Sequence, residues 1–312
     1  MARVASRSGT DLSHIEVSIV VPAYRADSTI SRCLSSLLNQ DFPGAYEVIV
    51  CVSADQPGEL PSLEKHQRLK VLTHVPRLGA AAARNRAAAD ARGRLIAFTD
   101  ADVVADAGWL ARLVSAAEAS PCVAGSVLNG TPESVIGTAE YLLEFVDLHP
   151  ARNPDAVHFG ATCNLIIEKV LWEEAGPFPE DLEGGEDTVL TMDLRKRGLF
   201  RFAPEAAVHH LNRTRPAAFL RHQFRFGRFT ARLAVADGMY AGGPLRATLT
   251  RYATLAPLAA LLRVGWVYRR LATLDRQLFV RSVRCLPAVV AGSVAWGAGL
   301  VAQRMRERGS GG

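Results

Sequence analysis

The stretch "RLIAFTDADVVAD", residues 94–106, runs an apolar segment straight into three carboxylates, Asp100, Asp102 and Asp106. A short apolar run of this kind reads as a buried strand, and in open parallel sheets ligands bind beyond the carboxyl ends of the strands. It is the position of the acids, more than the Asp-x-Asp spacing, that makes them candidates for chemistry. Two carboxylates two residues apart supply hard oxygen ligands to Mg²⁺ or Mn²⁺, and the metal's open positions take phosphate oxygens. Asp106 has a local alternative: it precedes "AGWLARLV", and a carboxylate before a helix accepts first-turn amides, so it is expected to cap that helix.

Working outward, three β-rich runs precede this strand: "VSIVVPAY" (17–24), "EVIVCV" (47–52) and "LKVLTHV" (69–75). Between them lie helical patterns at 27–39, with Ile30, Leu34, Leu37 and Leu38 at helical spacing, and at 79–91, an alanine-rich run closed by Gly93. Strands alternating with helices of this length predict βαβ units and an α/β domain around a largely parallel sheet. Further along, a helix is expected over 107–118, a strand over 121–127, a helix over 133–146 and a strand over 161–168, followed by an acidic stretch (179–198) and "FRFAPEAAVHH" (200–210). This gives an N-terminal tail over 1–15, a globular domain over 16–240 and a helical, membrane-associating region over 241–312.

Five scattered cysteines without a Cys-x-x-Cys pair argue against a disulfide framework or a thiolate zinc site, and favour a reducing compartment. The first residues lack an uninterrupted apolar segment before a small-residue cleavage site, so the body of the protein is expected in the cytoplasm. The net charge of +5 conceals an asymmetry: residues 1–212 carry 19 Lys and Arg against 28 Asp and Glu, whereas 213–312 carry 17 against 3. The basic part interleaves arginines with aliphatic runs, "YATLAPLAALL" (252–262), "VGWVY" (264–268) and "CLPAVVAGSVAWGAGLVA" (285–302). Long aliphatic runs exclude a nucleic-acid surface, which would set stacking aromatics on polar ground. They suit a membrane surface instead. If the first run crossed the bilayer, the arginine-rich linker would land outside, against the positive-inside tendency. The expected arrangement is therefore an interfacial or re-entrant hairpin on the cytoplasmic face, with Trp266, Tyr268 and Trp296 near headgroups and arginines on anionic lipid. The alternative is a buried helix pair of an ordinary subdomain.

A second acidic cluster, "EGGEDTVL" (183–190), sets Glu186 and Asp187 after a glycine pair at a helix start. Helix-dipole complementarity suits either acid; so does service as a general base. Spacing alone leaves both open.

The segments "VSIVVPAYRADSTISRCLSSLLNQ", "LGAAAARNRAAADARGRLIAFTDADV", "GATCNLIIEKVLWEEAGPFPEDLEGGEDTVLTMDLRKRG" and "PEAAVHH", in that order, resemble the successive blocks of family 2 glycosyltransferases. The resemblance implies a glycosyltransferase-A fold, a three-layer α/β/α nucleotide-sugar-binding domain with a mainly parallel mixed sheet, inverting chemistry and a divalent cation, Mg²⁺ or Mn²⁺. It implies that Pro22, Ala23 and Tyr24 approach the nucleotide, that Arg84, Asn85, Asp100 and Asn164 lie near the donor, with Gly160 beside the last on the acceptor side, and that Asp102 ligates the metal with His209 or His210 nearby. Asp187 matches the catalytic base and Glu186 its neighbour, while Gln223, Arg225 and Arg228 of "RHQFRFGR" approach pyrophosphate or acceptor. After the second strand the family commonly has an acidic pair that reads the nucleobase; here Val52 and Ser53 stand there, and Asp55 is the acid within reach. The expected partners are a nucleotide-sugar donor and a lipid-linked or cell-envelope glycan acceptor. A sugar nucleotidyltransferase would carry a glycine-rich basic signature near the N-terminus, which "PAYRADSTI" lacks. A non-catalytic scaffold would not need both acidic clusters.

Overall fold

The computed structural model describes residues 15–181, 184–236 and 253–309. The tail over 1–14, Glu183 and the domain boundary at 240–241 lie outside the described residues. Eight strands form one sheet in the order β3-β2-β1-β4-β7-β6-β8-β5: β1 (Val17–Ala23), β2 (Tyr46–Ser53), β3 (Leu69–His74), β4 (Leu95–Thr99), β5 (Val103–Ala105), β6 (Cys122–Asn129), β7 (Asn164–Glu168) and β8 (Phe200–His210). The pairings β3-β2-β1-β4 and β6-β8 are parallel; β7 and β5 run antiparallel to their neighbours. This is the mixed, mainly parallel α/β sheet expected. Position in the sheet explains composition: β4 and all but one residue of β1 are buried along their length, whereas the edge strand β3 alternates with solvent.

Helices connect and cover the strands. They are α1 (Ile30–Leu38), α2 (Ala80–Ala89), α3 (Trp109–Ala117), α4 (Val135–Glu144), α5 (Lys169–Ala175), α6 (Glu186–Lys196) and α7 (Pro216–Ala236). The alanines of α2 are a packing device: small side chains let the helix lie close on β1 and β2. The buried carboxylate of Glu47 accepts from Ser18 and from both the backbone and side chain of Arg92, tying β1, β2 and the loop before β4 together.

Two expectations are corrected. Asp106 does not cap α3. The N-cap is Gly108, with no side-chain cap bond, and the Asp106 carboxylate pairs instead with Arg112 (3.6 Å) and His209 (3.3 Å). The C-terminal part does not place Trp296 at a headgroup. It comprises α8 (Ala256–Leu274), α9 (Arg276–Ser282) and α10 (Leu286–Gly309), and α10 packs along α7, α4 and α8. Trp296 is buried, and its Nε1 donates to Thr230 Oγ1 of α7 at 3.1 Å. Burying a ring of that size contributes roughly 4 kcal/mol at most by area.

The glycines that dilute the last apolar run are the contact surface of this packing. A Cβ on Gly299 would overlap the Phe224 carbonyl, and one on Gly227 the Trp296 carbonyl. Arg263, which interrupts the aliphatic run in the sequence, points inward, donating to Gln223 Oε1 (3.1 Å) and the Leu143 carbonyl (3.1 Å) over the Trp296 ring. The outward side of the same helices remains aliphatic, with Leu258, Leu261, Leu262, Val290 and Val294 exposed. Among the described residues one helical stretch, Arg276–Glu307, is long and apolar enough to cross a membrane, and half of its apolar window is buried against protein.

Candidate active site

The strand expected over 94–100 ends at Thr99, which frees Asp100 and Asp102 to turn out of the sheet before β5 begins. β5 is a three-residue strand that sequence reasoning missed, since "VVA" between acids carries too little pattern to register. Its pairing with β8 aligns Val103 with His210 and Val104 with His209. Successive residues of a strand face opposite sides, so the two histidines part company. His209 turns to Asp106, whereas His210 is buried with Nε2 3.5 Å from Asp102 Oδ1. The Nδ1 of His210 lies 3.0 Å from the amide oxygen of Asn212. An amide oxygen only accepts, so in the neutral ring Nδ1 carries the proton and Nε2 keeps its lone pair toward Asp102. Ligand atoms of Asp100, Asp102 and His210 lie within 4.8 Å of one another. Two carboxylates with one imidazole is a mixed oxygen and nitrogen donor set that fits a divalent cation such as Mn²⁺.

Arg84 joins this cluster to the second one. From α2 its Nη2 reaches Asp100 Oδ1 at 2.6 Å and its Nη1 reaches Glu186 Oε1, 102 residues further on, at 2.7 Å. Burial works against the charge of Arg84, and the two carboxylates more than restore it, so its affinity for its proton rises. Burial also raises Glu186 toward the neutral form, with Asp187 and Asp100 adding to the rise and Arg84 opposing it. Glu186 is thus committed to Arg84.

Asp187 opens the same helix, α6, on the cavity side. Its Oδ2 accepts from the Thr162 amide (2.9 Å) and hydroxyl (3.3 Å), and its Oδ1 from the Thr188 amide (2.6 Å). The preceding glycine pair has a steric reason. Gly185 sits at φ +77°, and a Cβ there would overlap the Phe229 ring.

Two cavities meet at this point. One, of about 570 Å³, runs from Pro22, Ala23 and Tyr24 at the end of β1. The other, of about 430 Å³, holds Asp187 and is walled by Phe159, Phe226, Phe229 and Trp266. Both are lined by Ala80, Arg84, Asp100, Asp102 and Arg213. Tyr24 carries the Arg77 guanidinium over its ring at 4.2 Å and donates its hydroxyl to Asp55, which also receives Arg25. Asp55 lines neither cavity and is tied to the first only through Tyr24 and Arg25.

The structure brings Pro22, Ala23, Tyr24, Arg84, Asp100, Asp102, Glu186, Asp187, His210 and Arg225 to these cavities. Four expected donor-binding residues line neither cavity, and the structure ties each of them to other partners. Asn85 brackets the backbone of Phe178. Asn164 is buried, accepting from Trp109 Nε1 and donating to the carbonyls of Ser126 and Ala206. Gln223 links Glu144 to Arg263, and Arg228 donates to Gln303 on α10. Gly160 likewise packs beneath the sheet, its amide on Thr191. The residue missed was Arg213. One arginine in a basic segment gives no signal; only the position three residues past His210 could have singled it out.

Comparison with known proteins agrees with the α/β fold. The profile of glycosyl transferase family 2 matches residues 18–174, half of the chain. The sequence is similar to glycosyltransferase AglE of Haloferax volcanii, 29% identical over 68% of this chain and 72% of that protein. It is also similar to the UDP-Glc:α-D-GlcNAc-diphosphoundecaprenol β-1,3-glucosyltransferase WfgD of Escherichia coli, 40% identical over 30% of this chain and 36% of that one. In fold it resembles the mannosyltransferase PcManGT of Pyrobaculum calidifontis, solved with GDP-Man and Mn²⁺, with a TM-score of 0.57 at 19% identity over 97% of this chain and 91% of that chain.

Proposed function

The chain belongs to glycosyl transferase family 2, and on that premise we propose that it moves a sugar from a nucleotide-sugar donor to a hydroxyl of a lipid-linked or cell-envelope glycan, with inversion and with help from a divalent cation. The observation that carries this reading is the meeting of two cavities at Arg84, Asp100, Asp102 and Arg213, with Asp187 in the second alone. The nucleotide lies along Pro22, Ala23 and Tyr24, its base toward Tyr24 and Asp55, and its diphosphate at the junction.

Asp102 and His210, with Asp100 adjoining, would hold the cation. When bound, it supplies Lewis-acid charge to the diphosphate. Asp187 takes the proton of the acceptor hydroxyl, whose oxygen forms a bond to the anomeric carbon as the bond to the diphosphate oxygen breaks. Negative charge then collects on the diphosphate, where Arg213 meets it. Arg84 fixes Asp100 and stations α6, and through α6 Asp187, at the reacting centre.

Trp266 of α8 and Phe226 and Phe229 of α7 wall the cavity that holds Asp187. They suit an acceptor with an apolar portion, and the names of relatives such as WfgD support a lipid-linked one. The exposed aliphatic side of α8 and α10, set beside the arginines of the basic region, supports attachment to the cytoplasmic face of a membrane through an interfacial rather than spanning contact.

Screening nucleotide sugars for transfer with and without Mn²⁺, in wild type and Asp187→Asn, tests the reading. We expect one donor to be used only with the cation. Asp187→Asn should lower turnover by about 10²–10⁴-fold, the scale of a lost general base, with donor binding retained. Full activity in the variant would overturn the base assignment.

A further inference from the structure

We propose that Glu140, on α4 and outside both cavities, is the positioning residue that holds Arg213 at the diphosphate. The inference rests on the transferase reading above and names a residue that the reading did not need. Glu140 is fully buried. Its Oε2 accepts from the backbone N–H of Arg213 and its Oε1 from the Arg213 guanidinium. One carboxylate therefore fixes both the main chain and the side chain of a single residue in the loop between β8 and α7. That residue is the basic side chain, besides Arg84, common to the walls of both cavities. Arg84 is buried between two carboxylates, whereas the Arg213 side chain is 38% exposed. Of its guanidinium N–H donors, Glu140 takes only the one on Nη1, so the rest can serve a ligand.

Stability alone gives a poor account of Glu140. Removing a carboxylate from water costs several kcal/mol unless it is paired and hydrogen-bonded, and apolar pairs of similar volume serve folding as well or better. The cost is compounded because Glu144 lies one turn along the same helix face. Burial and the charge of Glu144 raise Glu140 toward its neutral form, against Arg213 and His222. Retaining a buried acid in so unfavourable a place is explained if its task is to set the geometry of Arg213. The neighbouring Asn212 does the equivalent for His210, so the segment 210–213 is held at both functional side chains from behind.

The test measures binding of UDP, GDP, ADP and dTDP, each with Mn²⁺, and of the matching nucleosides, by calorimetry on the full chain. For whichever diphosphate the wild type binds, Glu140→Gln should weaken binding about 10–100-fold, the usual cost of losing a supporting hydrogen-bond partner, and leave the nucleoside unaffected. Glu140→Asp should recover part of the loss, and Arg213→Met combined with Glu140→Gln should be no weaker than Arg213→Met alone. If Glu140→Gln does not fold, the apolar pair Glu140→Leu with Arg213→Met keeps the test open, and wild-type diphosphate binding in that folded pair overturns the proposal. Equal binding by wild type and Glu140→Gln overturns this inference alone. If the wild type binds none of the diphosphates, the transferase reading falls and takes the inference with it.

Discussion

Two clusters in this protein have the same composition, two carboxylates and a histidine with ligand atoms within 4.8 Å: Asp100, Asp102 and His210 at the end of β4, and Glu140, Glu144 and His222 between α4 and α7. Their surroundings differ. The second is filled by the protein's own cation. Arg213 binds Glu140, and His222 Nε2 lies 3.0 Å from Glu144. Burial would push Glu144 up, but His222 and Arg213 hold it down to about 2. In the first, Arg84 engages Asp100 only, and among the described residues no arginine or lysine is hydrogen-bonded to Asp102. The first triad leaves charge that a bound cation would balance, whereas in the second a guanidinium already balances it.

Three perturbations would break or sharpen that contrast. Asp102→Asn, in the first cluster, should lower transfer by roughly 10²–10³-fold, the loss that follows removal of one transition-state charge stabiliser. It should also abolish the extra thermal stabilisation that Mn²⁺ gives the donor complex; an unchanged Mn²⁺ response would erase the difference between the clusters. Glu144→Leu, in the second, should leave Mn²⁺ dependence intact and instead lower the folding free energy by about 3 kcal/mol, because His222 and Gln223 lose a buried partner. Denaturant unfolding reads this loss.

The smallest effect concerns a third carboxylate, Glu47, which is also covered by the protein's own donors. Burial opposes its ionisation, yet hydrogen bonds from Arg92 and Ser18 outweigh this and lower its pKa. A depressed carboxylate contributes stability above its unfolded pKa, near 4.3, and loses it as pH falls through the folded value. Wild type should therefore lose melting temperature more steeply than Glu47→Gln as pH drops from about 5 toward 3. Parallel curves would mean that the pairing with the largely exposed Arg92 contributes little.

Much of the site was legible along the chain. The apolar run into Asp100 and Asp102 gave a strand end, the glycine pair before Glu186 and Asp187 gave a helix start, and both were found where periodicity and turn chemistry put them. Asn85, Asn164, Gln223 and Arg228 line neither cavity, because resemblance locates a block but not the direction in which each amide or guanidinium points. Asn164 shows the difficulty: a strand's first residue beside the site spends every polar atom on Trp109, Ser126 and Ala206. The apolar C-terminal runs proved partly a packing surface for a related reason, with Trp296 buried rather than at a headgroup. Their glycines and Arg263 weaken them as membrane segments, yet these same residues fit them to α7, a long-range contact that local hydropathy does not encode.

By itself the sequence determined the α/β alternation, the strand that delivers two carboxylates, and the basic aliphatic character of the last third, since these follow from local periodicity and composition. Only the tertiary structure decided which histidine joins Asp102, which arginine spans the two acidic clusters and which glutamate stands behind Arg213. Those choices depend on strand register and on contacts between residues 73 to 108 positions apart. A one-residue slip of β8 against β5 would exchange His209 for His210, and nothing in the local sequence distinguishes the two.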